Sequence, residues 1–185
     1  MSRVLIVFRR PLHKARGWWG DSERHSEAAK KGWLKRKRPP ELYLSSEQEY
    51  RKWFLRNIAG LSIVNEESGL PILFDAGDVE HAITEGTDDG ARRFSPSRAR
   101  RLPWLPIVAR YGSLKVRPGT SGKRPWAVAV FSVPREGAHA MVVEYDPQRR
   151  ACWFVTHFPI GPDKAKRIRL NWPDFKPPAK ENAPR

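Results

Sequence analysis

The sequence predicts an α+β fold: two helices packed on a roughly four-stranded antiparallel sheet, with a basic N-terminal extension over residues 1–68, a globular domain over 69–170 and a loose Pro-rich tail over 171–185. Three observations carry this. From Ser46 to about Ala109, apolar residues recur at helical spacing between capping residues. From Leu114 onward the pattern changes to β-branched and aromatic runs separated by turn residues. Helical segments that precede the strands, instead of alternating with them, separate α+β from α/β.

Each element has a local reason. Val4 to Phe8 reads as a short strand, and Asp21 to Lys31 as a short helix with an Asp cap in front and Gly32 behind. Ser46 and Glu49 form a capping box for a helix to about Ala59, with Tyr50, Trp53, Phe54 and Ile58 on one face. Asp78 caps a helix from Val79 to Glu85, which Gly86 ends. Ser95-Pro96 opens the second helix, whose apolar positions are Leu102, Leu105, Val108 and Ala109. Pro103 and Pro106 must break or bend it.

The strands are Leu114–Arg117, Trp126–Val133, Met141–Tyr145 and Cys152–His157, the last two joined by a turn at Asp146-Pro147-Gln148-Arg149. Val128, Val130 and Val142 alternate with their neighbours and are expected to face Ile83 and Leu105 of the helices. From Pro173 the chain is too Pro-rich for a helix or a central strand, and nothing there is expected to pack.

Composition narrows the function. The 185 residues hold 35 Lys and Arg against 20 Asp and Glu, a net charge of +15. Such an excess favours a polyanionic partner. Eight Trp and eight Phe supply enough bulk for a core. The only Cys is Cys152, so neither a disulfide framework nor a Cys-rich zinc site is expected. No apolar run approaches the ~20 residues that span a bilayer, and the apolar start is too short for a signal-peptide core. No membrane partner is expected.

Charge is also blocked along the chain. Residues 57–90 carry acids and no Lys or Arg, whereas 91–135 carry Arg and Lys and no acid. In the second block, Arg98, Arg100, Lys123 and Arg124 with Trp126 are the candidate nucleic-acid contacts. Guanidinium forks grip phosphate and flat rings stack on unpaired bases. The alternative is a solvated charged face over core tryptophans. The N-terminal segment, from Gly17-Trp18-Trp19-Gly20 to Arg38, fits a DNA- or RNA-binding arm, a docking arm for a larger protein assembly, or a solvated arm that aids solubility.

The histidines, His13, His25, His81, His139 and His157, are the candidates for proton transfer, because imidazole titrates near neutrality. Asp75, Asp78, Glu80 and His81 lie close enough in sequence for a divalent-metal alternative, although Asp75 and Asp78 suit a turn and a cap better. No metal or other cofactor is expected. Phosphate-loop, nucleophile-elbow and dinucleotide motifs are absent.

Between about Pro71 and Arg169 the order of pieces resembles the phage nucleases of the barnase–EndoU–colicin–RelE superfamily. Extended Leu70-Pro71-Ile72-Leu73-Phe74 precedes a helix with His81. Ser97-Arg98-Ala99-Arg100-Arg101-Leu102-Pro103-Trp104-Leu105-Pro106 is similar to their Arg-rich and Leu-Pro-rich segment. Phe154-Val155-Thr156-His157-Phe158 is similar to their terminal strand. The resemblance implies two helices on a four-stranded antiparallel sheet and metal-independent cleavage of RNA through a 2′,3′-cyclic phosphate, in a cytoplasmic or virion-associated protein.

His81, Arg101, Thr156 and His157 match best. On this reading His81 and His157 share the base and acid roles in one groove, Arg101 with Arg124 stabilises the phosphorane, and Thr156 orients the phosphate. Phe158-Pro159 departs from the pattern, and the N-terminal region has no counterpart in it. A catalytically dead descendant, or a non-enzymatic nucleic-acid-binding virion or packaging component, is the alternative.

Overall fold

A computed structural model describes residues 39–116, 126–133 and 137–176. Ser46 caps α1 (Glu47–Asn57) by accepting from the Glu49 amide, and Tyr50 and Phe54 form its buried stripe. Two short strands follow, β1 (Ser62–Val64) and β2 (Pro71–Leu73). A 3-10 turn over Ala76–Asp78 leads into α2 (Val79–Ile83). Among the described residues, β3 (Thr84–Gly86) and β4 (Arg92–Phe94) pair only with each other. The expected second helix is three pieces: α3 (Pro96–Ala99), a 3-10 turn over Leu102–Trp104, and α4 (Leu105–Tyr111). Pro96, Pro103 and Pro106 each sit in the first turn of a piece, where a missing amide costs least.

The long strands are β5 (Ser113–Val116), β6 (Trp126–Val133), β7 (Gly137–Asp146) and β8 (Ala151–Ile160), and α5 (Pro162–Asn171) follows them. The expected architecture requires correction. The sheet has six strands in the order β1-β2-β8-β7-β6-β5, and it is mixed, because β2 runs parallel to β8 through Ile72 beside Cys152 and Leu73 beside Trp153. With the β3–β4 ribbon and five α-helices among the described residues, this is not two helices on a four-stranded antiparallel sheet. The added strands β1 and β2 have three residues each, too few to show a period in sequence.

A second correction concerns which face the valines take. Val128, Val130 and Val142 lie under Ala165 and Ile168 of α5, in a small core of their own. Ile83 and Leu105 pack on the opposite face, with Ala127, Ala129, Met141 and Val143. β6 is buried along both faces except at its ends, so its alternation carried no polar partner to mark the inside.

Segments expected outside the domain join the larger core. Leu42, Tyr50, Phe54 and Ile58 are buried in it. Phe175 is buried with its ring 5.1 Å from that of Tyr145, and its amide donates to the Leu114 carbonyl. Buried Asn65 ties the turn after β1 to the end of α4: Nδ2 donates to the Ala109 and Gly112 carbonyls at 2.8 and 2.9 Å, and Oδ1 accepts from the Ser68 amide at 3.0 Å. The strand and helix expected within residues 1–38, His13, His25, Lys123, Arg124 and the tail beyond 176 lie outside the described residues. No helix among the described residues is long and apolar enough to cross a membrane.

Candidate nucleic-acid interface

β8 outruns its neighbour. Its pairing with β2 stops at Trp153, and further along, α2 closes on the open edge and presents its carbonyl oxygens there. His157 Nε2 lies 2.7 Å from the Ala82 oxygen, and Thr156 Oγ1 lies 3.3 Å from the His81 oxygen. A carbonyl only accepts, so His157 carries its proton on Nε2 and its Nδ1 is an acceptor. His139 Nε2, 2.8 Å away on β7, therefore donates to it. That leaves His139 Nδ1 as a buried lone pair with no partner among the described residues.

Both imidazoles are fully buried, and the Trp104 ring stands edge-on to His139 at 5.2 Å. Burial pushes His157 down to about 3, against the opposing pull of the Ala82 carbonyl. Burial first, and then the neighbouring His157 and the Arg101 and Arg98 cations, hold His139 well below the ordinary imidazole value. Both are neutral at pH 7.

The exposed side of this junction is different. Arg98, half-buried, donates from Nη1 to the Thr84 carbonyl at 2.7 Å and to Thr156 Oγ1 at 3.1 Å. Arg92 Nε donates to Thr84 Oγ1 at 2.9 Å. His81 is exposed beside them. Its pKa is lowered, first by partial desolvation and then by the Arg92 cation, with Arg98 adding to this and Glu80 opposing it. Glu80 is itself occupied by Arg51 of α1, whose hydrogen bond holds the carboxyl below its usual range. The result is an exposed imidazole whose pKa two guanidinium charges lower, on a residue whose backbone carbonyl meets the Thr156 hydroxyl.

The expected site residues therefore separate. Arg98 and Thr156 come together, and His81 meets Thr156 through its backbone carbonyl. His157 does not share their groove: its ring is sealed inside, with both nitrogens bonded within the protein. Arg101 also turns inward, with its guanidinium 5.3 Å from the Trp104 ring centre, Nη1 donating to the Ser97 carbonyl, Nη2 3.8 Å from Glu41, and a buried Nε that lacks a partner. Arg100 is exposed over the Tyr43 ring, and Trp126 is 40 % exposed at the start of β6.

Asp75 and Asp78 close the turn before α2: the Asp75 amide donates to Asp78 Oδ2, and burial pushes the Asp78 carboxyl up to about 6. Among the described residues, no group of three or more His, Cys, Asp or Glu side chains stands close enough to hold a metal ion. Arg92 was not singled out by sequence. It is one of eleven Arg and Lys between residues 91 and 135, and only the β3–β4 pairing brings it back to Thr84. No family model, curated protein or solved structure matches this chain.

Proposed function

We propose that the chain binds RNA and cleaves it without a metal at the cluster of His81, Arg92, Arg98 and Thr156. The observation that supports this is the junction of Arg98, Thr156 and the His81 carbonyl, with the His81 side chain exposed there and its pKa lowered by the Arg92 and Arg98 cations. His81 takes the 2′-hydroxyl proton. The 2′-oxygen then bonds to phosphorus as the bond to the 5′-oxygen breaks, leaving a 2′,3′-cyclic phosphate. Arg98 and Arg92 face the charge that develops on the phosphorane, and Thr156 orients a phosphate oxygen. Water protonates the departing 5′-oxygen, since His157 has no nitrogen to offer. A docking role for residues 1–38 on a larger assembly, in the cytoplasm or a virion, belongs to the same proposal.

The test is RNA cleavage in EDTA with analysis of the ends. Cyclic phosphate termini are expected, with a rate about 10²–10⁴-fold lower in His81→Ala. Cleavage of DNA at a similar rate, or an unaffected His81→Ala variant, rejects the mechanism. The sealed position of His157 favours one second reading, a nucleic-acid-binding component without catalysis. Tight binding with no cleavage selects it.

A further inference from the structure

We infer that β8 is a track for an unpaired RNA strand, with one phosphate at Thr156 and Arg98 and the two flanking bases stacked on Trp153 and Phe158. This deepens the proposed function and rests on its choice of RNA. In a regular strand Trp153 and Thr156, three residues apart, would point to opposite faces. The bulge changes that. Trp153 pairs with Glu144, Phe154 with Val143 and Thr156 with Val142, which leaves Val155 as the extra residue. Paired residues share a face, so Trp153 and Thr156 occupy successive positions on the same one. Phe158, opposite Ala140, takes the next position. The strand rise sets Thr156 about 7 Å from each ring position.

The two rings share a further property. Each is partly buried, and each has a cation over it: the Arg149 guanidinium 5.3 Å from the Trp153 ring centre, and the Lys164 ammonium 5.6 Å from that of Phe158. A base stacks in the place that the cation now holds over each ring, and the displaced cation pairs with the adjoining phosphate. Trp153 packs in neither core, whereas Phe158 is partly buried against the smaller one, so core packing leaves Trp153 unaccounted for. Bases in a duplex are stacked on one another and cannot lie on these rings, so the strand must be single.

The test uses full-length protein and a 2′-O-methyl RNA octamer carrying 5-iodouridine, which the 2′-hydroxyl route cannot cleave. Binding is thereby read apart from catalysis. Irradiation of the wild-type complex is expected to crosslink Trp153 and Phe158. Trp153→Ala and Phe158→Ala are each expected to weaken binding about tenfold, and Trp153→Phe, which keeps a ring, less than about threefold. The same sequence in a duplex is expected to bind about tenfold more weakly. Crosslinks confined to other residues overturn the inference even if the alanine variants fail to fold. So does wild-type affinity in both alanine variants, or equal affinity for duplex. If RNA is never cut but these results hold, the track stands and the mechanism falls. If RNA is cut at His81 while the ring variants bind normally, the reverse follows.

Discussion

His139 Nε2 and His157 Nδ1 lie 2.8 Å apart in the protein interior, and the second ring hangs from the carbonyl of Ala82, the residue next to His81. The buried pair thus meets the candidate site through the backbone of α2 and through β8, where His157 follows Thr156. It acts as a brace for that helix.

The brace makes stability sensitive to acid. Unfolded histidine takes up a proton near its ordinary value of 6.5, whereas native His157 resists until about pH 3. Between those values the unfolded chain binds more protons, so stability present above pH 6.5 is lost as pH falls. The loss is up to about 1.4 kcal/mol per pH unit for each histidine. Urea unfolding at pH 7, 6 and 5 is expected to show falling midpoints. His157→Gln, which retains a donor for Ala82, is expected to flatten the slope, and an unchanged slope argues against the buried neutral pair.

Cleavage should depend on pH through His81 alone. Its lowered pKa places the acid limb of the rate below the ordinary imidazole value, because the base must be neutral. Removing the Arg92 cation with Arg92→Gln should move that limb to higher pH. A second, basic limb from a protonated His157 is not expected. A bell-shaped profile that loses its basic side in His157→Gln would contradict the sealed geometry.

Neighbouring arginines should behave differently. Arg98 faces Thr156, so Arg98→Ala is expected to weaken RNA binding and to reduce the slope of log affinity against log salt by about 0.7–0.9. Arg101 turns to Glu41, Ser97 and Trp104. Arg101→Ala is therefore expected to cost about 1–2 kcal/mol of stability and to leave the salt slope unchanged. Salt-dependent binding and urea unfolding, measured on both variants, separate the two roles.

Asn65 is a purely structural test. Asn65→Ala strands two buried carbonyls and the Ser68 amide. A loss of about 3 kcal/mol is expected in urea unfolding. A loss below about 1 kcal/mol would mean that the turn after β1 rearranges to satisfy them.

Sequence alone determined the elements whose cause is local. Ser46 caps α1 because its hydroxyl reaches the Glu49 amide, and the prolines at 96, 103 and 106 open short helical pieces because each lacks an amide. The long strands followed from their β-branched runs. Only the tertiary structure decided the rest. The parallel pairing of β2 with β8 joins residues about eighty apart, and neither strand records it. α5 takes the face that the valines of β6 share, which reversed their expected direction. His157 has the residue type of a catalyst, but a carbonyl and a second imidazole occupy both its nitrogens. Residue type fixes what a side chain can do; burial and hydrogen-bond partners, set by distant segments, fix whether a substrate can reach it.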